Sequence, residues 1–172
     1  WVRYINSLMS LDGIGDNVLI GIATDITEEK AKNQELEFLN AAAHEILAQP
    51  DCEKAIIGTL EKICSYFAGK RAFVMETQGD TACNTYEVCA AGVSGVKENL
   101  QAVPMATLAP CLALLQEQRC MGFENAETLQ RDNPPLWKLL QARGVHTAIM
   151  ASLRVDGRLV GFVGVDDPTR DV

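Results

Sequence analysis

The chain has 172 residues, 48% of them hydrophobic and 22% charged, and a formal net charge of −8. That length allows one ordinary domain with a buried core plus some extra chain, and a mean hydropathy of +0.03 excludes a disordered polypeptide. The acidic balance, with a pI near 4.7, argues against nucleic acid and anionic lipid as partners, because both need a basic surface. No apolar run reaches membrane-spanning length and no signal-peptide pattern opens the sequence, so no membrane contact by this fragment and a cytoplasmic location are expected.

The first 25 residues read as a β-hairpin. WVRYINSLMSL is strand-like, DGIGDN is turn chemistry, and VLIGIATDI is strand-like again. The chain opens directly in a strand, which suggests a fragment of a longer protein. Asp25-Ile26-Thr27-Glu28 is a helix start, with Asp25 able to cap and Glu28 placed as in a capping box. The helix is expected from about Thr27 to Gln49, ending before Pro50. Within it Leu36, Leu39, Ala43 and Ile46 follow heptad spacing. Two readings stay open for that seam: a short parallel coiled-coil dimer, or one face of an amphipathic helix on its own domain.

Asp51 is expected to cap a second helix, Cys52 to Phe67, that Gly69 ends. Its apolar face is Ala55, Ile56, Leu60, Ile63, Cys64 and Phe67. Strands follow at Arg71 to Thr77 and Asn84 to Ala91, then a polar loop from Gly92 to Asn99 and a short extended piece from Leu100 to Met105. Thr107 to Gln118 reads as a helix with Pro110 in its first turn. Cys120 to Phe123 reads as a strand, and Glu124 to Asp132 as loop or a weak helical turn. A helix starts at Pro134-Pro135 and closes at Gly144. The stretch from Val145 to Asp167 is the clearest pattern: two strands joined by Asp156-Gly157, a pair suited to a type I′ turn, with Val155 facing Arg158. The second arm is nearly all apolar, as in a strand covered on both faces at a sheet centre. Gly161 and Gly164 mark a close approach by another element. Hairpins with helices between them favour an antiparallel α+β sheet over βαβ repeats.

Several residues then resemble a known family. Gln141-Ala142-Arg143-Gly144-Val145, followed by LRVDGRLVGFVGVDDP, is similar to the end of a GAF domain, where a hairpin reads roughly P-L-x-V-D-G-R-L-x-G-x-L-x-V-D. Ala151 departs from the Pro often found there. YEVCAAGV from Tyr86 and ENLQAVPM from Glu98 resemble middle segments of GAF domains in bacterial signalling proteins. The N-terminal hairpin and Asp25-Ile26-Thr27-Glu28-Glu29-Lys30 resemble the end of a PAS domain and the start of a signalling helix. The resemblance implies residues 1–26 as the C-terminal fragment of a PAS domain, 27–49 as a linker helix, and 50–172 as a GAF domain whose first helix includes 37–49 in one reading. The fold implied is α+β: a central antiparallel sheet flanked by helices, with a PAS-remnant hairpin and a long linker helix. The function implied is a non-catalytic sensory module in a bacterial multi-domain protein, with a cyclic-di-GMP cyclase, phosphodiesterase or sensor kinase as its output.

No catalytic constellation stands out in the sequence. His44-Glu45 lacks the second His of a zincin helix, and Gly13 and Gly15 are turn glycines without a third at Val18. Asp166-Asp167 reads as a solvated pair at a strand end. The six cysteines, Cys52, Cys64, Cys83, Cys89, Cys111 and Cys120, include no C-x-x-C pair, so no metal site is expected. Reduced cysteines are favoured, with Cys52, Cys64 and Cys111 at apolar helix positions.

A GAF domain implies a small ligand held between one sheet face and the helices and loop that cover it. Candidate ligand-binding residues are Met75, Tyr86, Cys89, Met105, Trp137, His146 and Met150, polar or polarisable groups on apolar elements. The cyclic-nucleotide signature and the bilin-attaching Cys-His pair are both missing, and no cofactor is named by the sequence. The expected partners are a small-molecule ligand and a second copy of the chain through the linker helix. Two alternatives remain: a ligand-free dimerisation or spacer domain, and an enzyme similar to the GAF-fold methionine sulfoxide reductases, using Cys83, Cys89 and Cys120.

Overall fold

The computed structural model describes residues 1–10 and 17–169. The chain divides into two compact units, Trp1–Ala41 and Ala42–Val172. In the first, β1 (Val2–Ser10) pairs antiparallel with β2 (Asn17–Asp25), Val2 opposite Asp25 and Ser10 opposite Asn17. Apart from Asn17, the turn expected between them lies outside the described residues. Helix α1 (Thr27–Ala48) follows. Asp25 accepts hydrogen bonds from the Thr27 N–H at 2.9 Å and the Thr27 hydroxyl at 2.7 Å, so it caps the helix from one residue beyond Ile26. The chain's amino group also donates to the Thr27 hydroxyl. Val2, Tyr4, Ile5 and Ile22 are all more than half exposed; a two-stranded ribbon with bare apolar side chains is marginal in water by itself.

The second unit is built on a six-stranded sheet. Helix α2 (Cys52–Tyr66) leads to β3 (Arg71–Gln78) and β4 (Thr81–Cys89), then β5 (Val103–Pro104), α3 (Met105–Gln118), β6 (Cys120–Phe123), α4 (Leu129–Asp132), α5 (Pro134–Ala142), β7 (Ala148–Val155) and β8 (Arg158–Asp166). The strand order is β5-β4-β3-β8-β7-β6 and every neighbouring pair is antiparallel. The apolar second arm is therefore interior, between β3 and β7. Its turn has Asp156 at φ 50° and Gly157 at φ 78°, as a type I′ turn requires, and Val155 closes against Arg158.

The pleat divides the side chains between two faces. Ala72, Val74, Tyr86, Val88, Ile149, Leu153, Val163 and Val165 pack against Ile56, Leu60, Ile63, Cys64 and Phe67 of the α2 segment. Phe73, Met75, Ala82, Ala148 and Phe162 point the other way, into a larger core closed by α3 and α5. The first turn of α2 is held by Asp51, which accepts from the Glu53 and Lys54 N–H groups. Asn133 does the same for α5, through Leu136, and donates to the Thr107 carbonyl at 2.9 Å, tying α5 to α3. From β7, Arg154 donates to the Leu115 and Gln116 carbonyls at 2.9 and 2.7 Å. The Leu115 carbonyl also accepts the Arg119 N–H at 3.2 Å, and Arg154 adds a donor for Gln116 at the C-terminal end of α3, where carbonyls lack helical partners.

Four details differ from the sequence reading. Strand β4 starts at Thr81, because a two-residue link with Gly79 at φ 60° lets pairing resume at once. Helix α3 begins at Met105, so Pro110 lies in its second turn and the Ala106 carbonyl loses its helical donor. Cys52 is exposed, whereas Cys64 and Cys111 are buried and all six cysteines are free. After α2 the left-handed residue is Ala68, at φ 46°, not Gly69. Gly69 serves closeness: a Cβ there would lie 2.3 Å from Val165 Cγ1. Close approach also explains Gly161 and Gly164, and the approaching element is β3. A Cβ would lie 2.1 Å from the Met75 carbonyl oxygen at Gly161, and 2.5 Å from the Phe73 ring at Gly164.

Candidate functional site

Between the sheet and the helices α3 and α5 lies a cavity of about 30 Å³. Phe73, Met75, Ala148, Met150 and Phe162 form its sheet side; Leu108, Cys111, Leu136, Leu139 and Leu140 its helix side; Leu100 and Phe123 complete the apolar lining. At one end stand Arg143 and Asp166. A space of this size matches one or two water molecules.

The polar end is built by strand and helix termini. Asp166 closes β8 and is 1% exposed. Its Oδ2 accepts from Arg143 Nη2 at 2.5 Å and makes a longer contact, 3.4 Å, with Arg71 Nη1. Arg71 starts β3, directly opposite Asp166 in the ladder, and its Nε donates to the Ser94 carbonyl at 3.0 Å. Arg143 follows α5, and its guanidinium lies over the Phe73 ring at 5.3 Å, a favourable cation–π position. The missing side chain of Gly164 leaves room for that ring across β8. Burial pushes the Asp166 carboxyl above its ordinary value, and the Arg143 and Arg71 charges offset that only in part.

Asp167 plays a different part. Its Oδ1 accepts from the backbone N–H groups of His146 and Thr147 at 2.8 and 2.9 Å, and its Oδ2 from Lys70 Nζ at 2.8 Å. Burial raises this carboxyl, but Lys70 and the two N–H groups outweigh it and hold it below the usual value. Asp166-Asp167 is thus a buried, paired junction of β3, β7, β8 and the segment after α5, not the solvated strand end expected. Sequence reasoning missed Arg71, Arg143 and Asp166 as site residues. The available signal was two carboxylates closing an otherwise apolar strand, a pattern that needs buried cations.

The structure brings only some of the candidate residues together. Met75 and Met150 line the cavity, and Met105 packs against the same core. Tyr86 lies on the opposite face of the sheet, with α2, and Lys97 sits 6.0 Å from its ring. Trp137 is half-buried and outside the cavity lining. His146 is exposed and contributes its backbone N–H to Asp167. Cys89 lies beside Glu87, where burial first and the Glu87 charge second push the thiol up; that disfavours the nucleophilic thiolate.

Of the cysteines of the methionine sulfoxide reductase alternative, Cys83 and Cys89 lie on one strand, β4, and Cys120 on another. Cys83 on β4 and Cys120 on β6 are separated by β3, β8 and β7, about 19 Å at the usual strand spacing. Among the described residues no group of three or more His, Cys, Asp or Glu is placed to hold a metal ion, and no helix is long and apolar enough to cross a membrane. The seam residues Leu36, Leu39, Ala43 and Ile46 are all exposed on α1.

No family model and no curated protein matches this chain. Solved structures share its fold. The phycocyanobilin-bound GAF domain from a cyanobacterial phytochrome is 16% identical over 81% of this chain and 82% of that one, with a TM-score of 0.63. A far-red-absorbing dark-state protein with bound biliverdin IXα is 14% identical over 77% and 83%, with a TM-score of 0.64. The chromophore-binding domain of the bacteriophytochrome RpBphP3 from R. palustris is 14% identical over 95% of this chain, with a TM-score of 0.61, and the chain spans 60% of that domain. At these identities the likeness is one of fold: the chain carries the α+β fold of the GAF domains found in bacterial photosensory proteins.

Proposed function

We propose that this chain is a sensory module of a bacterial multi-domain signalling protein, and that its GAF-fold unit binds a small ligand beneath the sheet. The observation that carries the reading is the cavity itself, apolar on most sides and ending in the buried Arg143–Asp166 pair. Met75 and Met150 are adaptable walls suited to a changing occupant. A ligand acts by favouring one of two arrangements of the helices that cover it, which requires a different affinity for each. In this reading residues 1–26 end a PAS domain, α1 is the linker, and the output is a cyclic-di-GMP cyclase, phosphodiesterase or histidine kinase.

Biliverdin and phycocyanobilin occupy the structural neighbours, yet a ligand smaller than a tetrapyrrole is favoured here. The bilin-attaching Cys-His pair is missing, and about 30 Å³ is roughly a tenth of the smallest ordinary ligand pocket. The same small volume favours a second reading, a ligand-free unit that relays strain and dimerises along Leu36, Leu39, Ala43 and Ile46. A thermal-shift screen of the whole chain against small metabolites separates the two. The first reading expects at least one compound to raise the melting temperature in a saturable way. A flat response across the panel would leave the relay reading alone standing.

A further inference from the structure

The Arg143–Asp166 contact is one-pronged. Nη2 donates to Oδ2, while the neighbouring Nε–H and Oδ1 are buried without a protein partner. Arginine and carboxylate commonly meet in a parallel fork that joins both pairs of atoms; here the second prong is open. Both side chains are at least nine-tenths buried and both line the cavity. Arg71 makes its contact to Oδ2 and spends its Nε on Ser94, so it does not reach the open oxygen. Buried polar groups left without partners call for a specific reason.

We infer that the open fork is the recognition edge for a neutral, flat ligand that presents an N–H beside a C=O, as in a lactam, a pyrimidinone or a primary carboxamide. This rests on the ligand-binding reading above. The ligand N–H donates to Asp166 Oδ1 and its C=O accepts from Arg143 Nε–H. A carboxylate would satisfy Arg143 but face the Asp166 oxygen, and an ammonium would satisfy Asp166 but face the Arg143 N–H. Only an edge with one donor and one acceptor answers both. The rings of Phe73 and Phe162 and the side chains of Met75 and Met150 suit a flat apolar body. Because the cavity is about 30 Å³, a ring enters only as its walls move. The half-buried Phe123, Leu139 and Met150 are the residues with room to do so.

The test uses the whole chain with labelled methionine methyls and arginine side chains, titrated with 2-pyridone, N-methyl-2-pyridone, benzene and benzoate. The expected result is that 2-pyridone moves the Met75 and Met150 methyls and the Arg143 Nε–H resonance. It should do so at about a tenth or less of the concentration that N-methyl-2-pyridone needs, the loss expected when buried partners are stranded, and benzoate should leave all three in place. Arg143→Lys should weaken both pyridones alike, because both carry the C=O that Arg143 receives, and should leave the preference between them, which rests on Asp166 Oδ1, in place. Equal binding of the pyridones, or a preference for benzoate, overturns the inference. So does a cavity that takes benzene but not 2-pyridone, since the fork then serves water alone; in that case the ligand-binding reading survives. If no probe, benzene included, moves the methyls, the inference fails, and the ligand-binding reading is decided separately by the metabolite screen above.

Discussion

Removing the Asp166 carboxylate tests how the two halves of the site hold each other. Asp166 is 1% exposed and faces guanidiniums whose side chains are 8% and 9% exposed. Stranding buried cations by deleting their counter-ion costs about 3–5 kcal/mol. Most of that belongs to Arg143 at 2.5 Å, since the Arg71 contact at 3.4 Å is beyond good hydrogen-bond length. Asp166→Ala should therefore lose about 3–5 kcal/mol, a shift of roughly 2 M in a urea midpoint for a typical slope. Asp166→Ala combined with Arg143→Met should lose less than the sum of the single losses. The double variant strands only Arg71, which keeps the Ser94 carbonyl. A coupling of about 1–3 kcal/mol is expected. Urea unfolding followed by circular dichroism reads all of these values. A single-variant loss below about 1 kcal/mol, or strictly additive losses, would refute the picture of a buried, mutually dependent pair.

Three further outcomes follow. The Asp167 carboxyl is held below its ordinary value, so its contribution is present above the unfolded-state pKa near 3.9 and fades as pH falls through the lower folded value; Asp167→Asn should be less stable than the parent at pH 7, with the gap closing below about pH 4 in unfolding curves taken across pH. Asp166, pushed up by burial, titrates in the opposite sense, so it cannot produce that closing gap. Gly161→Ala would press a methyl against the Met75 backbone oxygen, which cannot swing aside, and should lower stability by about 1–3 kcal/mol, read by thermal melting, whereas Gly92→Ala, in open space, should cost no more than the strain of its positive φ. If the α1 seam holds a dimer, Leu36→Glu with Leu39→Glu should convert it to monomer in sedimentation, while α2 and the sheet keep their far-ultraviolet spectrum; a parent that already sediments as a monomer at high concentration removes the dimer reading.

The fold was legible where local chemistry is decisive. Asp156-Gly157 between apolar runs, Asp51 before an amphipathic stretch, and Asn133-Pro134-Pro135 before another each have one good structural solution, and the chain adopts it. The site was less legible because it is made by register rather than by motif. Arg71 and Asp166 lie far apart in sequence and meet because β3 and β8 pair so that these residues face each other. Arg143 joins them because α5 ends beside the same strand end. Tyr86 and Met75 both looked like pocket residues, yet a bulge and the two-residue pleat place them on opposite faces. Periodicity along one strand does not say which face the cavity occupies. His146 is hard to read for a related reason: the bond it makes is a backbone N–H to Asp167, which side-chain chemistry does not reveal.

The most direct test of the sensory reading is a methyl spectrum of the whole chain, with Met75 and Met150 assigned, recorded against fractions of a bacterial small-molecule extract and then against the pure compound from the active fraction. On the sensory reading one compound moves both methyls together and saturably, with smaller shifts at Met105 in the same core. Methyls that stay fixed against every fraction, in a chain shown to be folded, would contradict it.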